Sequence, residues 1–146
     1  MSFRGQRLPE LTLVLYGLLI SVAWEFGQSA LYVDHARGIS YILWTRLHCA
    51  LGDGLILLGS FWCVALLFRR RFWFVGNWRL ASLVFVLFGF AYTVWSEWYN
   101  TRVTQNWAYA PTMPTVFGIG FSPLAQWLVV PALLVIVLRR RAIDAP

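Results

Sequence analysis

The chain has 146 residues, of which 60% are hydrophobic and only 12% are charged. Soluble domains usually carry about 25% charged residues, so this composition excludes an ordinary soluble domain and indicates a polytopic membrane protein. The net charge of +6 comes from arginines that stand where apolar runs end. Such charges set membrane topology rather than form a basic face, so no nucleic-acid partner is predicted.

Four apolar segments predict four membrane-spanning helices. Each has about twenty residues, enough to cross the hydrocarbon core at the helical rise of about 1.5 Å per residue. The segments are residues 11–32, 46–68, 79–98 and 118–138. The predicted fold is therefore all-α, a four-transmembrane-helix bundle that forms a single membrane domain over residues 1–146.

The arginine distribution predicts the orientation of this bundle. Arg4, Arg7, the second connection and the C-terminal tail supply nine of the twelve arginines, whereas Arg37, Arg46 and Arg102 belong to the other two connections. Positive charge concentrates on the cytoplasmic side of a membrane. We therefore predict that both termini are inside (N-in/C-in) and that the protein is a multi-pass component of a bacterial inner membrane.

The third connection, residues 99–117, is predicted to be a periplasmic lid over the bundle. Its mixture of Asn, Gln, Trp, Tyr, Met and Pro is not hydrophobic enough to span the membrane and not repetitive enough for a linker. Loops of this length are usually functional or disordered, and the aromatic residues argue against disorder.

Four ionisable side chains, Glu25, His48, Asp53 and Glu97, lie inside the predicted helices. A charge at membrane depth costs roughly 2.5 to 3.5 kcal/mol on insertion scales, so such groups usually have a partner or a function. Glu25 and Asp53 lie about seven residues, or roughly 10 Å, below the outer interface. We predict one outward-facing polar pocket in which all four are candidate catalytic acid/base residues, with Glu25 and Asp53 as the working pair.

Glu97 and His48 also have simpler interpretations. Glu97 could be a solvated helix end paired with Arg102, and His48 could lie at the membrane interface. His48 and Asp53 are five residues apart, about 140° around a helix, so the two side chains cannot point equally well at one spot. Either Asp53 faces the bundle and His48 the headgroup region, or the neighbouring glycines distort the helix.

Polar and aromatic side chains are expected around the same pocket. Gln28 shares a helix face with Glu25, and Ser122 and Gln126 lie one turn apart on the fourth helix. The candidate substrate-binding residues are Gln28, Tyr92, Trp107, Tyr109, Ser122, Gln126 and Trp127. Four glycines are predicted to allow close helix approach, namely Gly52, Gly54, Gly59 and Gly89.

No cofactor and no metal are predicted. Carboxylates with one His form an acceptable hard-ligand set. The usual helical signatures, Glu-x-x-His and His-x-x-x-His, are however absent from the sequence. Occupation of the pocket by a metal is left open at this point.

The order of these features resembles the EXPERA-domain family of four-helix membrane proteins, which includes emopamil-binding protein and sigma-2-like proteins. The resemblance covers the four helices through short motifs. The matching stretches are Ala23-Trp24-Glu25, Leu31-Tyr32-Val33-Asp34, Asp53, Ser96-Glu97 and Gln126-Trp127-Leu128-Val129-Val130-Pro131. The resemblance implies that Glu25 and Asp53 are acid/base groups and that Trp127 is an aromatic wall facing a cation.

The function favoured by these observations is binding or acid/base processing of a lipid or isoprenoid-like substrate. The expected partners are membrane lipids and a hydrophobic small molecule, and whether the protein is an enzyme is left open. One alternative is a small proton-coupled cation transporter, because a lone membrane Glu in the first of four helices is typical of small multidrug transporters. A second is a non-catalytic subunit of a larger membrane complex, or a homo-oligomer.

Overall fold

The structure, a computed structural model, describes residues 8–76 and 78–143. Four long helices dominate it: α1 (Pro9–Gln28), α2 (Ile39–Leu67), α3 (Trp78–Trp98) and α4 (Phe121–Ile143). Each is long and apolar enough to cross a membrane. The predicted helical, multi-pass architecture is confirmed at this level. The orientation stays a prediction, and Arg4 and Arg7, on which it partly rests, lie outside the described residues.

The helices follow one another around the bundle. α1 packs against α2 and α4, and α3 packs against α4 and α2. Two short 3₁₀ turns, Ser29–Leu31 and Val33–Arg37, join α1 to α2. Both turns lie at one end of the bundle, hereafter the open end.

Several helix boundaries differ from the predicted ones: α1 ends at Gln28 rather than at residue 32, and α4 begins at Phe121 rather than at residue 118. α2 begins at Ile39, seven residues before the predicted start, directly after Gly38, whose positive φ of 96° favours glycine. α4 continues through its C-terminal arginines to Ile143. The predicted bounds followed the apolar runs. Polar residues just outside an apolar run can continue a helix into the membrane interface, so hydropathy alone misplaced the start of α2 and the end of α4.

Aromatic side chains fill the opposite end of the bundle, where α2 ends and α3 begins, hereafter the closed end. Phe61, Trp73, Phe74 and Phe85 are each at most 2% exposed. Their neighbouring ring centroids lie 5.1 to 6.3 Å apart. This cluster seals the interior of the bundle at the closed end.

Arginines at the closed end also hold helices together. The Arg71 Nε and Nη2 donate to the two carboxylate oxygens of Glu10 at 2.8 Å each, which ties the second connection to the start of α1. The Arg139 Nη1 donates to the carbonyl oxygen of Phe74 at 2.8 Å. These side chains therefore have packing roles beyond setting topology.

Two of the four glycine predictions hold. A Cβ on Gly54 would lie 2.9 Å from Leu18 Cδ2, and one on Gly89 would overlap the Trp127 ring, so both positions permit close helix approach. The prediction is wrong for Gly52 and Gly59, because a Cβ at either would meet nothing within 4 Å. Gly52 instead lines a cavity.

The third connection is folded across the open end. It starts with a π-helical turn, Tyr99–Val103, and ends in an antiparallel pair of two-residue strands, β1 (Thr115–Val116) and β2 (Ile119–Gly120). Between them the chain pairs with the turn after α1. The Val33 N–H donates to the Ala108 carbonyl at 3.0 Å, and the Ala110 N–H donates to the Leu31 carbonyl at 2.9 Å. We call residues 104–114 the covering loop.

Candidate functional site

A pocket of about 420 Å³ lies at the open end of the bundle. All four helices and the covering loop contribute to its wall. The predicted site residues on that wall are Glu25, Gln28, His48, Asp53, Tyr92, Glu97, Trp107, Gln126 and Trp127. Tyr109 and Ser122 do not line it. Tyr109 supports Glu97 from the covering loop, and Ser122 accepts a hydrogen bond from Trp24 on the outside of the bundle.

Arg46 is the central cation of the pocket, and the sequence did not reveal it. Its Nη2 donates to both carboxylate oxygens of Asp34 at 2.6 and 2.7 Å, and its Nη1 lies 3.5 Å from Glu25 Oε2. The guanidinium also lies 4.8 Å from the centre of the Tyr32 ring. Arg46 is only 4% exposed. Its assignment to the connection between the first two helices is therefore wrong.

The early start of α2 explains this error. Because α2 begins at Ile39, Arg46 lies two turns inside the helix and points into the bundle rather than to its edge. The sequence contains one indication of this role, because Arg46 lies in the same segment as His48 and Asp53. The partner of Arg46 in this ion pair is Asp34. Asp34 belongs to one of the motifs of the resemblance, but it was not among the predicted site residues.

Glu25 and Asp53 are connected through two side-chain amides. The Gln28 Nε2 donates to Glu25 Oε1 at 2.8 Å and lies 3.5 Å from Gln126 Oε1. The Gln126 Nε2 donates to Asp53 Oδ2 at 2.7 Å. Both amides thus direct their N–H groups toward carboxylates, which fixes their orientation.

Glu97 is a buried member of the site and not a solvated helix end. It is 7% exposed and accepts hydrogen bonds from Tyr109 Oη and, at 3.4 Å, from Trp107 Nε1. The alternative pairing with Arg102 is wrong. Burial, together with the adjacent Glu97 carboxylate, raises the pKa of the Tyr109 phenol above its ordinary range, so Tyr109 remains a hydrogen-bond donor.

His48 lies at the rim of the pocket. Its ring stacks on Trp44 at a centroid distance of 6.1 Å, and its side chain is exposed. Asp53 faces the bundle and bonds to α4. Of the two arrangements that helical spacing allowed, the structure has His48 at the edge and Asp53 inside.

Trp127 forms an aromatic wall of the pocket. It is 4% exposed and packs directly over Gly89 of α3. Tyr92 and Trp107 line the same cavity from α3 and from the covering loop. The pocket therefore combines carboxyl groups with flat apolar surfaces, which is typical of small-molecule sites.

Metal coordination receives no support from the geometry. Within residues 8–76 and 78–143, no three His, Cys, Asp or Glu side chains converge closely enough to hold a metal ion. The carboxylates instead accept hydrogen bonds from Arg, Gln, Tyr and Trp side chains of the chain itself. The carboxylates of the pocket therefore act as hydrogen-bond acceptors within the protein.

Comparisons with protein-family models, curated proteins and solved structures give no match. The resemblance to EXPERA-domain proteins stays a prediction.

The pocket carries more acidic than basic groups. Four carboxyl side chains line it, from Glu25, Asp34, Asp53 and Glu97, and Arg46 already engages the first two. No arginine of the described chain pairs with either Asp53 or Glu97. Asp53 and Glu97 are therefore the two carboxyl groups of the pocket that no arginine of the described chain compensates.

Proposed function

We propose that this protein binds a lipid or isoprenoid-like amphiphile in the open-end pocket and processes it by acid/base chemistry. The observation that carries the proposal is the convergence of Glu25, Asp53 and Glu97, from three different helices, on one cavity with aromatic walls. Carboxyl groups at membrane depth are costly, and they are usually retained where they serve a function.

Asp53 is the main acid/base group in this proposal. The Arg46 guanidinium compensates Glu25, whereas Asp53 accepts hydrogen bonds from two neutral side chains, those of Gln126 and Ser21. A change of charge on Asp53 therefore breaks no ion pair. Gln126 and Gln28 act as positioning residues that keep the Asp53 and Glu25 carboxyl groups in fixed relation.

The size and lining of the pocket suit the polar head and the first part of an apolar chain. A volume of about 420 Å³ lies within the range of about 300 to 1,000 Å³ that is typical of small-molecule sites. Trp107 and Trp127 supply apolar surface beside the carboxyl groups. The covering loop separates this end from the surrounding water.

We further propose that the open end faces the periplasm of a bacterium and that both termini are cytoplasmic. Arg71, Arg139 and Arg141 all lie toward the closed end, where Arg71 pairs with Glu10 and Arg141 donates to Tyr16. An excess of arginine at the closed end supports a cytoplasmic position for it.

A proton-coupled cation transporter is the alternative with a shared chemical basis, since carboxyl groups also bind cations. Transport requires a path through the closed end. Phe61, Trp73 and Phe74 fill that end.

A non-catalytic subunit of a larger complex would use its polar groups to pair with partner helices, whereas Glu25 and Asp53 already bond within this chain.

Lipid extracts of cells with substituted genes test the proposal. We expect Asp53→Asn or Glu25→Gln to cause accumulation of a lipid precursor. Glu10→Gln, which makes the same chemical change at the other end of α1, should leave the lipid profile as in the wild type. Unchanged lipids with lost resistance to toxic cations would favour the transporter. Unchanged lipids with failed assembly of a membrane complex would favour the subunit.

A further inference from the structure

A second cavity lies on the outer surface of the bundle, between α1 and α4. It has a volume of about 400 Å³ and is more apolar than the open-end pocket. We call it the α1–α4 groove. Its lining residues are Ile20, Ala23, Trp24, Gly27, Gln28, Leu31 and Ser122.

A hydrogen bond between two lining residues of the groove connects α1 to α4. The Trp24 Nε1 donates to Ser122 Oγ at 3.3 Å, which links α1 to α4. A Cβ added at Gly27 would meet nothing within 4 Å. A side chain at Gly27 would therefore extend into unoccupied space at the wall of the groove.

Among residues 8–76 and 78–143, Gln28 alone lines both the groove and the open-end pocket. It is 5% exposed, and its Nε2 donates to Glu25. Its Oε1 is buried and has no hydrogen-bond partner within the described residues. A buried carbonyl oxygen without a donor is destabilising, and a ligand hydroxyl that reaches this atom would satisfy it.

We propose that the α1–α4 groove binds the hydrocarbon chain of a long-chain alcohol, whose hydroxyl group donates to Gln28 Oε1. This inference rests on the proposed function, because the head would then lie at the wall of the open-end pocket. The α1–α4 groove would then be a second subsite and a lateral route by which a lipid enters the pocket from the membrane.

A single hydrocarbon chain fits the groove better than a protein helix. From Ile20 to Gln28 the groove follows α1 for only about 12 Å at the helical rise, whereas a packed helix has a diameter of about 10 Å and needs several turns of contact. The bond between Trp24 and Ser122 also connects the two helices that line the groove. A hydroxyl matches the single free acceptor at Gln28 and adds no charge at membrane depth.

Photolabelling with a diazirine derivative of hexadecanol tests this subsite. The protein is reconstituted in nanodiscs of phosphatidylethanolamine and phosphatidylglycerol, labelled, digested and mapped by mass spectrometry. We expect labelling of the peptides that contain Trp24 and Ser122, and competition by unlabelled hexadecanol. Gly27→Leu should fill the groove and lower this labelling at least fivefold.

Gly59→Leu is the matched control, because a Cβ on Gly59 also meets nothing within 4 Å and Gly59 lines neither cavity. It should leave the labelling unchanged. Gln28→Leu should weaken competition by hexadecanol more than competition by hexadecane. Labelling that hexadecanol does not displace, or that Gly27→Leu does not reduce, would overturn the inference.

The outcome for the groove is separable from the outcome for the proposed function. If lipid extracts of Asp53→Asn cells are normal but labelling depends on Gly27, the groove exists and the acid/base role fails. If a lipid precursor accumulates in Asp53→Asn cells but Gly27→Leu does not change the labelling, the pocket functions and the substrate enters by another route.

Discussion

Arg46 and Asp34 form a buried, doubly hydrogen-bonded ion pair that ties α2 to the turn after α1. Both oxygens of Asp34 accept from the same nitrogen of Arg46, at 2.6 and 2.7 Å. The side chains are 5% and 15% exposed, respectively. Since the same guanidinium also lies 3.5 Å from Glu25, one cation compensates two carboxylates of the pocket.

Removal of Arg46 should therefore destabilise the protein strongly. Arg46→Ala leaves Asp34 and Glu25 buried without a cation, and loss of one partner of a buried pair costs about 3 to 5 kcal/mol. Thermal unfolding in detergent measures the effect. Arg37→Ala removes an exposed arginine over Tyr41 and should cost less than about 1 kcal/mol. Equal melting temperatures for the two variants would contradict the central role of Arg46.

The hydrogen bond from Tyr109 to Glu97 should hold the covering loop in place. Tyr109→Phe removes the donor from a buried carboxyl group, at a cost of about 1 to 3 kcal/mol. Hydrogen exchange measures the result, and the Ala110 amide, which donates to Leu31, should exchange faster. Tyr99→Phe is the control, because the Tyr99 ring stacks on Trp95 at a centroid distance of 5.4 Å, outside the covering loop. Unchanged exchange in Tyr109→Phe would show that the loop is held by its backbone bonds alone.

The raised pKa of Tyr109 makes this contact dependent on pH at the alkaline side. The pKa is raised in the folded protein by burial and by Glu97. Stabilisation by the neutral phenol is thus fully present below the unfolded pKa of about 10 and is lost as the pH rises through the folded value. Subtracting the ultraviolet titration of Tyr109→Phe from that of the wild type isolates this group. We expect its tyrosinate signal only above about pH 10, and a signal below that value would contradict the buried contact.

Gly89 should tolerate no side chain, because Trp127 occupies the space that a Cβ would need. Trp127 is buried and cannot move without disturbing the pocket wall. Gly89→Ala should cost about 1 to 3 kcal/mol through overpacking. Gly59→Ala, where the Cβ meets nothing within 4 Å, should be neutral or slightly stabilising. The difference between their melting temperatures in detergent measures the contact, and a Gly89→Ala protein as stable as the wild type would refute it.

The helices could be predicted from the sequence, whereas their ends could not. Long apolar runs dictate membrane-spanning helices because the backbone must satisfy its own hydrogen bonds in lipid. The start of α2 depends instead on Gly38 and on the ion pair of Arg46 with Asp34, which stabilises a helix beyond the apolar run. Hydropathy contains no signal for such a tertiary contact.

The candidate site was likewise predicted in part from the sequence. Depth in the membrane correctly indicated that Glu25 and Asp53 face one cavity. The sequence left open whether Glu97 is buried, because its burial depends on Tyr109 and Trp107, which reach it from a loop ten or more residues away. The covering loop pairs with the turn after α1, and its sequence gives no indication of that partner.

Native mass spectrometry of the purified protein tests the central claim most directly. If the pocket binds an amphiphile through its carboxyl groups, the wild type and Glu10→Gln should both retain one lipid-like molecule of defined mass. Asp53→Asn, in which the Gln126 amide keeps an oxygen acceptor, should fold normally and retain at most about a tenth as much, since 1.4 kcal/mol of lost binding is tenfold. Equal retention by all three proteins, or only bulk membrane lipids in each, would contradict the account.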